Sequence, residues 1–156
     1  MTVYIDFQSS CSNTDNLPTL EQLQIWVQKA LSGAQYTQDE AEVTVRFVDN
    51  AEIQDLNKTY RHKDYPTNIL SFPFECPDGV ELPLLGDLII AKAVVEKEAL
   101  EQQKTLEEHY AHLIVHGVLH LLGYDHIESE DAAIMEPLEI SIVQSLGYDN
   151  PYKDEI

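Results

Sequence analysis

Three histidines, His116, His120 and His126, stand at the spacing of a metal site. Residues four apart lie one above the other on a helix, so His116 and His120 can reach a single ion. Gly123 then reverses the chain and returns His126 as a third ligand. Three protein ligands leave the fourth tetrahedral position open, which is the arrangement of a catalytic rather than a structural zinc. The expected cofactor is one zinc ion per chain.

The helix that carries these ligands is unusual in itself. Between Leu106 and Leu122, the residues His109, His112, His116 and His120 fall within about 80° of arc, forming one stripe. Its other faces carry Ala111, Leu113, Ile114, Val115, Val118, Leu119, Leu121 and Leu122. A helix apolar almost all round is a buried helix, and imidazoles facing a dry interior are costly unless each ring has a partner. A metal is one partner for several rings at once; His109 and His112 are left as supporting or surface residues. The run His116-Gly117-Val118-Leu119-His120-Leu121-Leu122-Gly123-Tyr124-Asp125-His126 has the ligand and glycine spacing of the metzincin protease signature H-E-x-x-H-x-x-G-x-x-H. It departs at one position: Gly117 stands where that pattern needs the Glu that acts as general base. A metalloprotease-like hydrolase is therefore the second reading. Asp125 reads equally as a base, as a group that orients a ligand, or as a local turn cap.

The elements that must position this helix follow from hydrophobic period and capping residues. Val3 to Phe7 and Val43 to Val48 alternate apolar and polar residues, the period of half-buried strands. Between them, Thr19-Leu20-Glu21-Gln22 forms a capping box, followed by Leu20, Leu23, Trp26, Val27, Ala30 and Leu31 at helical spacing and Gly33 as a stop. A second helix is expected from about Ala51 to Tyr60, then a loop from Arg61 to Pro66. Ile69 to Phe72 reads as a third strand, the breaker-rich Cys76 to Pro83 as an exposed loop, and Leu84 to Ile90 as a fourth strand. Further helices are expected from Ala91 to about Gln102, from the Thr105 capping box to Leu122, and from Ser129 to about Leu146. The acidic end Asp154-Glu155-Ile156 reads as loose. The expectation is a single domain over residues 1–156, of α+β class, with one mixed four-stranded β-sheet and about five helices.

Composition narrows the partners. No apolar run approaches the ~18 residues of a membrane span, and the N-terminus has no basic or long apolar region, so a cytoplasmic protein is expected. Cys11 and Cys76 lie far apart outside any CxxC arrangement and read as reduced thiols. With 28 acidic against 9 basic residues the net charge is −19, a surface that repels a polyanion at long range. Lys58, Arg61 and Lys63 nonetheless gather a third of the fixed positive charge within six positions. That run reads equally as a cationic patch or as a solvated loop.

The segment from His116 to His126 resembles the signature of the YbeY family, bacterial zinc-dependent endoribonucleases of rRNA maturation. The similarity extends to Leu56-Asn57-Lys58-Thr59-Tyr60-Arg61, to Pro66-Thr67-Asn68-Ile69-Leu70-Ser71-Phe72 and to Leu85-Gly86-Asp87, in the same order and over nearly the whole chain. Many members carry Asp where this chain has Asn68. The resemblance implies that His116, His120 and His126 are the metal ligands and that Arg61 is the catalytic arginine, with His116 serving both roles. It also implies single-strand-specific cleavage of rRNA, maturation of the 16S 3′ end, ribosome quality control, and the small ribosomal subunit or its assembly factors as partners. Taken on its own chemistry, an Arg beside a hydrolytic zinc suits a phosphodiester, because its planar fork holds the charge that develops on phosphoryl oxygens; without the resemblance, Arg61 reads first as an ordinary surface arginine. Thr67, Asn68 and Ser71 read equally as substrate contacts and as turn and strand-end caps. A third reading is a non-enzymatic ribosome-assembly module whose metal holds the fold.

Overall fold

The computed structural model describes residues 1–75, 82–124 and 129–152, with the backbone alone described for 129–132. The expected loop at Cys76, the ligand His126 with its neighbour Asp125, and the acidic end from 154 to 156 lie outside the described residues. Among the described residues, nine elements run in the order β1 Thr2–Ser9, α1 Leu20–Gly33, β2 Glu40–Val48, α2 Asn50–Arg61, β3 Ile69–Pro73, β4 Leu84–Ala91, α3 Lys92–Glu101, α4 Leu106–Leu121 and α5 Ser129–Ser145. The strands form one sheet in the order β1-β2-β4-β3, with β1, β2 and β4 parallel and β3 antiparallel to β4. Five helices and one mixed four-stranded sheet thus make a single compact α+β domain. Among the described residues no helix is long and apolar enough to cross a membrane.

Local chemistry explains each helix that frames the site. Thr19 accepts from the Gln22 backbone N–H while the Gln22 side chain accepts from the Thr19 N–H, closing the capping box of α1. The α1 stripe Leu23, Trp26, Val27, Ala30 and Leu31 is buried, whereas Leu20, at its first turn, is 47% exposed. Thr105 caps α4 by accepting from the Glu108 N–H. The apolar faces in the middle of α4 are then enclosed by the sheet, α1, α3 and α5, with Ile114, Val115, Val118 and Leu119 fully buried. Its apolar surface anchors the core with Val43, Val45, Phe47, Leu88 and Ile90 of the sheet. That packing fixes which side of α4 remains for the histidines.

Gly117 owes its identity to the same packing. A Cβ at this position would stand 2.7 Å from Leu88 Cδ2 and 3.0 Å from Ile69 Cδ1. The helix therefore lies directly against β3 and β4, and no larger side chain fits without moving core residues. A glutamate here, as a metalloprotease carries, would have to push aside the ends of Leu88 and Ile69.

Candidate active site

The histidine stripe of α4 is resolved into three different environments. His109 is 3% exposed, and its Nε2 lies 3.0 Å from Glu98 Oε1 on α3. It is thus an interior residue rather than a surface one, held by a partner that also accepts from Asn68 Nδ2 at 3.1 Å. His112 Nε2 and His116 Nδ1 both meet Glu139 of α5, at 2.9 Å to Oε2 and 2.8 Å to Oε1. His116 Nε2 then faces His120 Nε2 at 3.0 Å, with ring centroids 4.6 Å apart.

Glu139 organises this arrangement and was missed in the sequence. Its side chain has no exposed surface, and both oxygens are engaged, Oε2 also accepting from the Tyr152 hydroxyl at 2.8 Å. Burial alone would raise its carboxyl, but hydrogen bonds from His112 and His116, the charge of His116 and the Tyr152 hydroxyl outweigh burial and hold it down at about 2. It is a carboxylate at neutral pH. A carboxylate only accepts, so His116 donates to it from Nδ1, and in the neutral ring the lone pair then lies on Nε2. Burial also lowers the pKa of His112, opposed by its contact with Glu139, so His112 favours the neutral ring. One signal for Glu139 was present: it interrupts the helical apolar stripe Met135, Leu138, Ile142 and Val143. A carboxylate at such a position is buried with partners or not at all.

The donor set fits zinc. Two imidazole nitrogens bound to one tetrahedral zinc at ~2.0–2.1 Å stand about 3.3 Å apart, close to the 3.0 Å between His116 and His120 Nε2. The carboxylate behind His116 is the usual partner that fixes a metal-binding ring and raises its basicity. His112, His116 and Glu139 also present ligand-type atoms within 4.8 Å of one another, and this group could hold a metal ion. An ion there would displace the two hydrogen bonds from His112 and His116 to the buried carboxylate. An ion shared by His116 and His120 would instead take the place of their own Nε2 contact at 3.0 Å.

Both histidines open onto a cavity of about 640 Å³ whose other wall is the end of α2 and the strand β3. Arg61, Lys63, Thr67, Asn68 and Ser71 line it together with His112, His116, His120 and Tyr152. Arg61 is the last residue of α2 rather than a loop residue, because the helix ends one residue later at His62 in the left-handed conformation, φ 60°. Its Nη2 donates to the Ser71 carbonyl at 3.0 Å, and its guanidinium carbon stands 5.1 Å from the Phe72 ring centre. These contacts hold the group on the β3 wall with further N–H donors to offer. Lys58 instead pairs with Asp64 at 3.8 Å, on the surface. Asn68 spends its oxygen on the Ile69 N–H at 2.7 Å and its nitrogen on Glu98, so it caps β3 and shapes the cavity at once.

A family model described as Endoribonuclease YbeY matches residues 8–147. The solution structure of TM1509 from Thermotoga maritima, described as VT1, a NESGC target protein, is similar in fold. It has a TM-score of 0.59 and 26% identity, covering 91% of this chain and 88% of that one.

Proposed function

Because the chain belongs to the endoribonuclease YbeY family, which implies an endoribonuclease of rRNA processing, we propose that it is a zinc-dependent enzyme specific for single strands. In this reading it acts in the cytoplasm on the 3′ end of 16S rRNA and in ribosome quality control. The observation that carries the reading is the pairing of His116 and His120 Nε2 at 3.0 Å in one cavity with Arg61. His116, His120 and His126 hold the ion. When bound, zinc supplies Lewis-acid chemistry, polarising a phosphoryl oxygen or making water a nucleophile near neutral pH. Arg61 grips the nonbridging phosphoryl oxygens as their charge grows, its position held by Ser71 and Phe72. Glu139 keeps the His116 proton on Nδ1 and so its lone pair turned away from the α5 side.

A net charge of −19 leaves few groups to neutralise phosphates. Proteins that bind nucleic acid tightly by charge make ~6–10 such contacts, and this wall offers Arg61 and Lys63. Specificity then comes from a platform that presents the strand, in this reading the small ribosomal subunit with its basic proteins or assembly factors. The experiment is cleavage of a single-stranded rRNA fragment and of the same sequence in a duplex by zinc-loaded protein. Cleavage of the single strand, lost in His116→Ala, supports the reading; equal cleavage by His116→Ala overturns it.

A further inference from the structure

The segment after α5 returns to the site although from Tyr148 on it lies beyond the residues the family model matches. Helix α5 ends at Ser145, and Gly147 turns the chain with φ +93°. Two contacts near the start of α4 then fasten the segment: the Tyr148 hydroxyl donates to Glu107 Oε1 at 2.9 Å, and Lys104 Nζ reaches the Pro151 carbonyl at 3.5 Å. The Tyr152 N–H donates to Asn150 Oδ1 at 2.8 Å, which sets the direction of the last turn. Tyr152 arrives on the cavity wall with its ring edge-to-face against His112, centroids 5.5 Å apart and planes at 85°.

We propose that Tyr152 is a positioning residue of the metal-binding helix, its hydroxyl fixing Glu139 and, through Glu139, the orientation of His116. This rests on the reading of His116 as a metal ligand. Glu139 Oε2 accepts from two donors, Tyr152 at 2.8 Å and His112 at 2.9 Å, and Oε1 accepts from His116 at 2.8 Å. Without the hydroxyl, Oε2 keeps one donor, and a side chain with no exposed surface has no bulk water at hand to replace the other. The carboxylate is then free to turn toward His112, and the His116 Nδ1–H bond loses its fixed acceptor. Tyr152 acts one residue further from the metal than Glu139 does. Its loss should therefore cost less than the ~10–100-fold that removing a direct partner of a ligand costs.

Tyr152→Phe isolates this effect, since it keeps the ring against His112 and the cavity wall and removes only the hydroxyl. Two measurements decide. In zinc-free, ¹⁵N-labelled protein, exchange of the His116 Nδ1 proton with solvent is followed by NMR; it is expected to speed up several-fold in Tyr152→Phe. Zinc affinity is measured by competition with a chelator, and its dissociation constant is expected to rise about 3- to 10-fold, with kcat for RNA lowered and KM unchanged. Unchanged proton exchange and unchanged zinc affinity overturn the proposal. So does a Tyr152→Phe variant that behaves as wild type while Tyr152→Ala raises KM, for then the ring is a substrate wall and the hydroxyl is idle. Faster proton exchange in a protein whose wild type binds no zinc would show Tyr152 positioning His116 while refuting the metal reading itself.

Discussion

Replacing Glu139 by Gln tests the logic of the site with almost no change of volume. The amide has one acceptor oxygen where the carboxylate has two. If that oxygen keeps His112 and Tyr152, the NH₂ group faces His116 Nδ1 at the position now 2.8 Å away. His116 must then accept through Nδ1 and carry its proton on Nε2, the nitrogen that faces His120. A protonated Nε2 cannot bind a metal, so zinc affinity is expected to fall by at least the ~10–100-fold typical of lost outer partners. The fold suffers too. The carboxyl held at about 2 rather than 4.5 corresponds to roughly 3 kcal/mol favouring the carboxylate in this pocket, and the neutral amide forfeits a large part of it. Urea melts of zinc-free protein should show a loss of about 2–3 kcal/mol with an unchanged slope. Chelator competition reads the affinity. Wild-type zinc affinity in Glu139→Gln would refute the reasoning, because it would mean that His116 binds through a nitrogen the carboxylate does not control.

Three further outcomes follow from the same geometry. Arg61→Ala should abolish RNA cleavage while leaving zinc content and melting temperature nearly unchanged, since its contacts are exposed ones worth ~1 kcal/mol or less. Arg61→Lys should restore little, as a point ammonium cannot make the same forked contact, and a fully active Arg61→Ala would reduce Arg61 to a surface charge. Gly117→Glu should destabilise the protein by several kcal/mol without creating a peptidase, because the side chain would enter the Leu88 and Ile69 contact; a stable variant that cleaves peptides would contradict this. Zinc-free protein should lose stability in acid in two stages. His112 has a folded pKa below its usual 6.5, so its contribution is present above that value and is lost as pH falls. Glu139 has a folded pKa of about 2, so its contribution is present above 4.5 and is lost between 4.5 and 2. Melting temperatures from pH 7 to 3 that stay flat would contradict both assignments.

The parts of this fold legible in the sequence are those governed by local period. The α1 capping box and stripe, the strand at Val43 to Val48, and an α4 buried along its apolar faces all follow from residues a few positions apart. The sheet order did not follow, because nothing local tells β4 to insert between β2 and β3. The same limit applies to the site. His116 and His120 are neighbours on one helix and were evident, whereas Glu139 reaches His116 from 23 positions away and Tyr152 comes from further still. Glu139 left a trace as a carboxylate in an apolar stripe, but Tyr152 left none, since its role depends on where Gly147 turns the chain. The identity of residue 117 likewise made sense only when the distance from α4 to Leu88 was known.

The central claim is that one zinc is held by His116, His120 and His126. Two places compete for it, the face shared by His116 and His120 and the cluster of His112, His116 and Glu139. Because His116 belongs to both, the informative variants are His126→Ala and His112→Ala, with bound zinc measured by elemental analysis after equal dialysis. About one zinc per chain is expected in the wild type, nearly full occupancy in His112→Ala, and little or none in His126→Ala. Full occupancy in His126→Ala together with loss in His112→Ala would put the ion against Glu139 and contradict it.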